Sequence, residues 1–366
     1  MMKFIKLVVA ALGSALFFAS CSPENDEPTK YVPLEKYDSG VLVLNQGLFG
    51  QGDATISYIS ADLSKFENDI FSLANPNVIM GDTGQDIAFY GQFAYIVMNG
   101  SNKIEIVNRY TLKSVGTVDE GFSNPRYMAI YNGKGYVTNW GAGNNPSDDY
   151  VAVIDLATAS VTSAIPVAEG PERIIENAGK LYVAQTGGFS FGNQISVINT
   201  ATNAVSTITV GDVPNALQIK DGYLWVSYGG KPNYASAETA GGLVQINLNT
   251  NAVAHAYAYP DVTKHVSNLV IEGASAYYTV DSGIYKFDLS ANALPATPLF
   301  TTTSQGVYGV YSFAIKLGRF YVGDAGDYEN SGKVHVYSFG SSGESAGTLV
   351  NSYTVGVIPA GLYFNL

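Results

Sequence analysis

Three segments set side chains able to hold a ligand directly behind a proline: Pro125-Arg126-Tyr127, Pro171-Glu172-Arg173 and Pro214-Asn215-Ala216. Three residues after each proline stands an apolar residue, Met128, Ile174 or Leu217. The same register recurs from Gly84, Val266, Val307 and Pro359. It brings Gln85-Asp86, Ser267-Asn268, Tyr308-Gly309 and Ala360-Gly361 into equivalent places, so donors, acceptors and both charges converge. Arg126 and Arg173 stand out because Lys and Arg total 19 against 31 Asp and Glu, a formal charge of -12. A guanidinium fork can orient phosphate, carboxylate or amide oxygen. The bland alternative is structural: Arg173 would pair with Glu172 or Asp86, while Asn215 and Asn268 would satisfy strand ends.

A second set is aromatic. Phe49, Trp140, Phe189, Phe191, Tyr228, Tyr234 and Tyr328 lie in or beside Gly- and Asn-rich insertions at 48–53, 140–149, 187–193, 229–241 and 323–331. One aromatic in a loop usually packs that loop, whereas several on one face could contact the apolar face of a corrin or sugar ring. Other chemistry is poorly supplied. The chain has one cysteine and three histidines, and His255, His265 and His335 fall in different repeats. That excludes a disulfide framework and argues against a multi-histidine metal centre. The segments 324–330 and 144–149 carry oxygen ligands of the kind calcium takes, but without EF-hand spacing they read as solvated turns. No G-x-S-x-G or phosphate-loop motif occurs. We therefore expect no catalytic residues, no metal and no catalytic cofactor, with a scattered lyase-type site left as the enzymatic alternative. The acidic balance excludes a broad nucleic-acid surface.

The elements that must position these residues form a repeat of about 41–52 residues. Each copy runs from the register point through an apolar strand, an Asn-Gly or Asp-Gly type of turn, an aromatic-rich strand and a third strand such as 195–199 or 243–247. Lys103-Ile104-Glu105-Ile106-Val107 alternates with a period of two, as antiparallel strands do. A lone four-stranded blade cannot bury both faces, so seven copies predict an all-β, seven-bladed β-propeller over 38–366. The first copy lacks its innermost strand, and 360–365 supplies it, closing the ring. In this blade order the long insertions share one rim and the compact hairpins the other. The expected ligand-binding residues are thus Phe49, Gln85, Arg126, Trp140, Arg173, Phe189, Asn215, Tyr228, Asn268, Tyr308 and Tyr328.

The start of the chain reads as export. Lys3 and Lys6 flank a short basic segment, and 7–19 is apolar or small apart from Ser14, too short to span a membrane comfortably. Phe18-Ala19-Ser20-Cys21 resembles a bacterial lipobox, implying removal of 1–20 and lipidation of Cys21. The polar, acidic stretch that follows makes 21–37 a tether. Two or more acyl chains anchor stably where one is marginal.

Gly40-Val41-Leu42-Val43-Leu44-Asn45-Gln46-Gly47, Lys134-Gly135-Tyr136-Val137-Thr138-Asn139 and Lys180-Leu181-Tyr182-Val183-Ala184 resemble the YVTN/YncE-like propellers, particularly lipoproteins of Bacteroidetes cells. Gln46 replaces the acidic residue common there. The resemblance implies an outer-membrane, exterior-facing lipoprotein that captures a bulky nutrient for a TonB-dependent transporter. Cobalamin would be the transported ligand, not a catalytic cofactor. Relatives also include surface-layer or adhesion proteins and some lyases. Nonenzymatic adhesion, glycan binding and a propeller lyase therefore stand as alternatives.

Overall fold

The computed structural model describes residues 35–143, 145–340 and 345–366. The expected signal peptide, Cys21 and nearly all of the tether lie outside the described residues, as does Asn144. Seven antiparallel four-stranded sheets make up the compact unit Leu34–Leu366. Six of them use consecutive strands. Blade 3, for example, is Pro125–Tyr131, Lys134–Asn139, Tyr150–Asp155 and Ser160–Pro166. The innermost strands contact one another in sequence, and the last of them returns to the innermost strand of blade 2. The fold is a closed seven-bladed β-propeller.

Closure takes the expected route. Pro359–Asn365 lies on the axis side of Gly40–Asn45, with Val43 opposite Leu362 and Gly40 opposite Asn365. Blade 1 is thus built from both ends of the unit, and Gly40–Asn45 is paired on both sides. Tight inner hairpins follow from local chemistry. Asn132-Gly133 has φ values of 49° and 72°, the doubly positive pair a type I′ turn requires.

Packing explains why the second strand of most blades is apolar in consecutive residues. Leu181 and Val183 face blade 3, whereas Tyr182 and Ala184 face blade 5. The buried side chains form seven clusters, one at each interface between neighbouring blades. Outer strands cover only one face, and Ala252–Ala258 is almost wholly exposed. The outermost strands of blades 1 and 6 shrink to two residues each, Phe66–Glu67 and Phe300–Thr301. A five-residue helix, Ile70–Ala74, packs Ile70 and Phe71 under the crossover out of blade 1. Among the described residues no helix is long and apolar enough to cross a membrane.

One register assignment is corrected. The inner strand of blade 7 is Ser312–Lys316, and Phe313 pairs with Val322 as Leu217 pairs with Val226 in blade 5. The register point is therefore Val310, not Val307. Hydrogen bonds between blades repeat the correction: Asn215 Nδ2 donates to the Val266 carbonyl at 2.7 Å and Asn268 Nδ2 donates to the Val310 carbonyl at 3.0 Å. Ser312 continues the pattern by donating to the Pro359 carbonyl at 2.6 Å. The cause is a local near-duplication, Val307-Tyr308-Gly309 followed by Val310-Tyr311-Ser312.

Candidate functional site

Two regions gather the residues singled out above. At the axial mouth stand Gln85, Arg126 and Glu172, each near the start of its inner strand, and Tyr311, just ahead of Ser312–Lys316. Arg126 grips Glu172 with both prongs, Nε to Oε2 and Nη2 to Oε1, each at 2.8 Å. Its guanidinium also lies 4.2 Å from the centre of the Trp140 ring. Burial alone would lower the Arg126 pKa, but the adjacent Glu172 carboxylate more than offsets it and holds the group above its ordinary value. Arg126 is thus committed to an ion pair between blades 3 and 4. It is Arg126, not Arg173, that pairs with Glu172.

Beneath this pair, Gln85 Nε2 donates to the Tyr127 hydroxyl at 2.8 Å, while Gln85 Oε1 is buried without a partner among the described residues. Asp86 accepts from the Met128 backbone N–H and the Tyr363 hydroxyl, both at 2.9 Å. Desolvation pushes the Asp86 carboxyl pKa up despite those bonds and the Arg173 charge. Asn215 and Asn268 make the strand-end bonds described above, so the structural role foreseen for them is the one they perform. Tyr311, which the slipped register passed over, donates to Gln46 Oε1 at 2.9 Å and packs edge-on against Tyr328 with ring centres 5.7 Å apart. Burial raises its phenol to about 12. Tyr308, assigned to the mouth by the slipped register, instead stands in the crossover loop, 91% exposed.

The long-loop rim is the second region. Phe49, Phe189 and Tyr234 are 79%, 81% and 81% exposed, and Tyr328 is about half exposed. The strand order puts all of their loops on one face. Trp140 is half buried under Phe189, the two rings meeting edge to face at 6.0 Å. Tyr228 does not join them. It is buried, donates its hydroxyl to the Tyr257 carbonyl at 3.3 Å and belongs to the core between blades 4 and 5. Its ring is held inside because Gly211 and Gly242 leave no side chain in its way.

Between the loops of blades 4 and 5 a groove of about 480 Å³ is lined by Phe189, Phe191, Tyr234, Pro232 and His265. Phe191 and Tyr234 form one wall, ring centres 6.3 Å apart. His265 is fixed across it, Nδ1 to the Gly229 carbonyl at 2.8 Å and Nε2 to Glu238 at 3.1 Å. The sequence names these aromatics but does not show that two insertions in successive copies become walls of one groove. The other histidines stay apart. Among the described residues no group of three His, Cys, Asp or Glu side chains gathers to hold a metal ion.

These features define the class as a seven-bladed β-propeller with one elaborated rim. The family described as a domain of unknown function, DUF5074, matches residues 39–364, and the chain belongs to it. No curated protein matches. Among solved structures, the chain is similar to a functionally unknown protein from Desulfotomaculum acetoxidans, at 13% identity with a TM-score of 0.63, covering 89% of this chain and 98% of that one. It is also similar to the Neurospora crassa Pan2 WD40 domain, at 12% identity and a TM-score of 0.54 over 78% and 83% of the two chains. BamB from Moraxella catarrhalis gives 16% identity and a TM-score of 0.50 over 89% and 88%. At such identities the likeness concerns the fold.

Proposed function

We propose that this chain is a lipid-anchored, nonenzymatic binding propeller of the outer cell surface. It captures a bulky nutrient on its long-loop rim for an outer-membrane TonB-dependent transporter. The observation that carries the reading is the aromatic groove between blades 4 and 5, where Phe189 and Tyr234 are both 81% exposed on a rigid scaffold. Leaving two such rings in water forgoes their burial, a loss that binding a flat or apolar ligand would recover. The lipobox-like segment before Cys21 and the acidic stretch after it support the location. The YVTN/YncE-like resemblance supports the transporter and makes cobalamin the first ligand to try.

Trp140 offers a direct readout, because it touches Phe189 while the other tryptophan, Trp225, is buried in the core between blades 5 and 6. Titration of a Trp225→Phe variant with cyanocobalamin, and separately with oligosaccharides, should change Trp140 emission saturably for the ligand that binds. Emission unchanged by every ligand would count against capture at this groove. A surface-organising or adhesive role is the second reading. The exposed Phe49, Ile79 and Tyr308 favour it, since they stand on the same rim outside the groove and suit a protein partner.

A further inference from the structure

Two adjoining rim segments at blade 1 hold apolar side chains in water where the backbone is pinned. Phe49 is 79% exposed and Ile79 is 73% exposed, with Val78 exposed beside it. The backbone around Phe49 is tied down. Leu48 N–H donates to Asp53 Oδ1 at 2.8 Å and Gly50 N–H to Asp82 Oδ2 at 2.9 Å. Ala54 N–H donates to the Gly81 carbonyl at 3.3 Å, and a Cβ on Gly52 would stand 4.0 Å from Ile79 Cγ2, so loop 46–54 and crossover 75–83 form one surface. Loop 323–331 of blade 7 adjoins it, because half-exposed Tyr328 packs on Tyr311 and Tyr311 donates to Gln46. Charge around this apolar centre has one sign. The three segments carry Asp53, Asp82, Asp324, Asp327 and Glu329 and neither Lys nor Arg. Of these five, only Asp324 has an ion-pair partner within 4.0 Å among the described residues, His335 at 3.7 Å. Bonds from Glu329 and Asn330 hold the Asp327 carboxyl down at about 2, so it stays charged. At the groove between blades 4 and 5, by contrast, Lys231 meets Asp212 at 3.7 Å.

We propose that this sector of the rim docks a protein partner whose contact patch is apolar at its centre and basic around it, with Phe49 and Ile79 as anchors. Apolar side chains on a pinned backbone have less freedom to lose on association. Carboxylates without cationic partners attract a basic surface and repel an acidic one. A second copy presenting the same sector would set carboxylates against carboxylates, and an anionic lipid surface is disfavoured in the same way. The surface belongs to the second reading given above, a protein partner on the rim, and does not depend on ligand capture in the groove between blades 4 and 5.

Fluorescence anisotropy of three labelled peptides with the purified protein tests the proposal: an amphipathic peptide of Leu and Lys, the same peptide with Glu in place of Lys, and an oligolysine of equal length. The Leu/Lys peptide should bind at least about tenfold more tightly than either control, and should weaken as salt rises from about 50 to about 300 mM. Phe49→Ser/Ile79→Ser should lower its affinity by about tenfold or more. Asp327→Asn/Glu329→Gln should weaken it and flatten the salt dependence, whereas Phe189→Ala/Tyr234→Ala should leave it unchanged. Should Phe49→Ser/Ile79→Ser fail to fold, the carboxylate variant and the wild-type peptide series decide the matter. No binding of the Leu/Lys peptide, equal binding of either control, or full affinity in a folded Phe49→Ser/Ile79→Ser protein would each overturn the proposal. Loss of binding only in Phe189→Ala/Tyr234→Ala would move the protein-binding surface to the groove, refuting this sector while the second reading stood. Self-association of the wild type that Phe49→Ser/Ile79→Ser abolishes would give the sector to a second copy instead.

Discussion

Arg126 and Glu172 join blades 3 and 4 at the channel mouth through two parallel 2.8 Å bonds, with only 16% and 13% of their side chains exposed. Removing either partner strands the other charge in a poorly solvated place. Arg126→Met and Glu172→Met should each cost about 3–5 kcal/mol in urea unfolding, whereas the double variant Arg126→Met/Glu172→Met should cost clearly less than the sum. Additive losses would mean that the two side chains act independently.

Asn365 is the clasp of the ring. Fully buried, it donates to the carbonyls of Tyr37 at 2.7 Å and Arg109 at 2.8 Å, and its Oδ1 accepts from Arg109 Nε. Asn365→Ala removes the donor to one buried and one partly buried carbonyl and should lower stability by about 2–4 kcal/mol. Asn365→Asp should be worse, since it turns a carboxylate oxygen toward those carbonyls. Equal unfolding midpoints for wild type and both variants would refute the role of this closure.

Asp149 makes stability depend on pH. Its carboxyl is buried where the long loop of blade 3 meets the crossover to blade 4, and accepts from the Gly170 N–H at 2.6 Å. Desolvation, with Asp148 and Glu169 nearby, raises its pKa to about 6 from 3.8. The folded protein thus holds this proton more tightly than the unfolded chain. The resulting stabilisation is complete below pH 4 and disappears as pH rises through 6, on the order of 2–3 kcal/mol. Asp149→Asn keeps an acceptor for Gly170 and removes the charge, so thermal unfolding should show it more stable than wild type at pH 7.5 and equal to it near pH 4. A constant difference across that range would contradict the assignment.

Cys21 is the proposed anchor, not a reactive thiol. Cys21→Ser should abolish metabolic labelling by palmitate and shift the protein out of the membrane fraction. Retained label and unchanged fractionation would reject it.

Much of this fold was legible because a propeller repeats its errors and successes. Met128, Ile174 and Leu217 mark one register, and the missing inner strand of blade 1 pointed to 360–365, within the observed Pro359–Asn365. Blade 7 misled because Val-Tyr and a small residue occur twice in succession, and the pairing of Phe313 with Val322, with the bonds from Asn268 to Val310 and from Ser312 to Pro359, chooses between the copies. That choice is made by strand register and hydrogen bonds between blades, which the duplicated tripeptide does not encode. The site was legible in residue type but not in role. Arg126 and Arg173 stand one and two residues after equivalent prolines, yet a bidentate partner across the blade boundary occupies one and an aromatic face supports the other. Tyr228 looked like Tyr234 in sequence, but the glycines that let it sink into the core lie in other strands and loops.

The central claim is that the aromatic rim binds a bulky ligand. Calorimetry of the purified protein against cyanocobalamin and a set of oligosaccharides, repeated with the folded Phe189→Ala/Tyr234→Ala variant, tests it most directly. The account expects saturable binding of at least one of these ligands, weakened in the variant by roughly tenfold or more, about 1.4 kcal/mol or above. Absence of binding throughout, or the same affinity in wild type and variant, would contradict it.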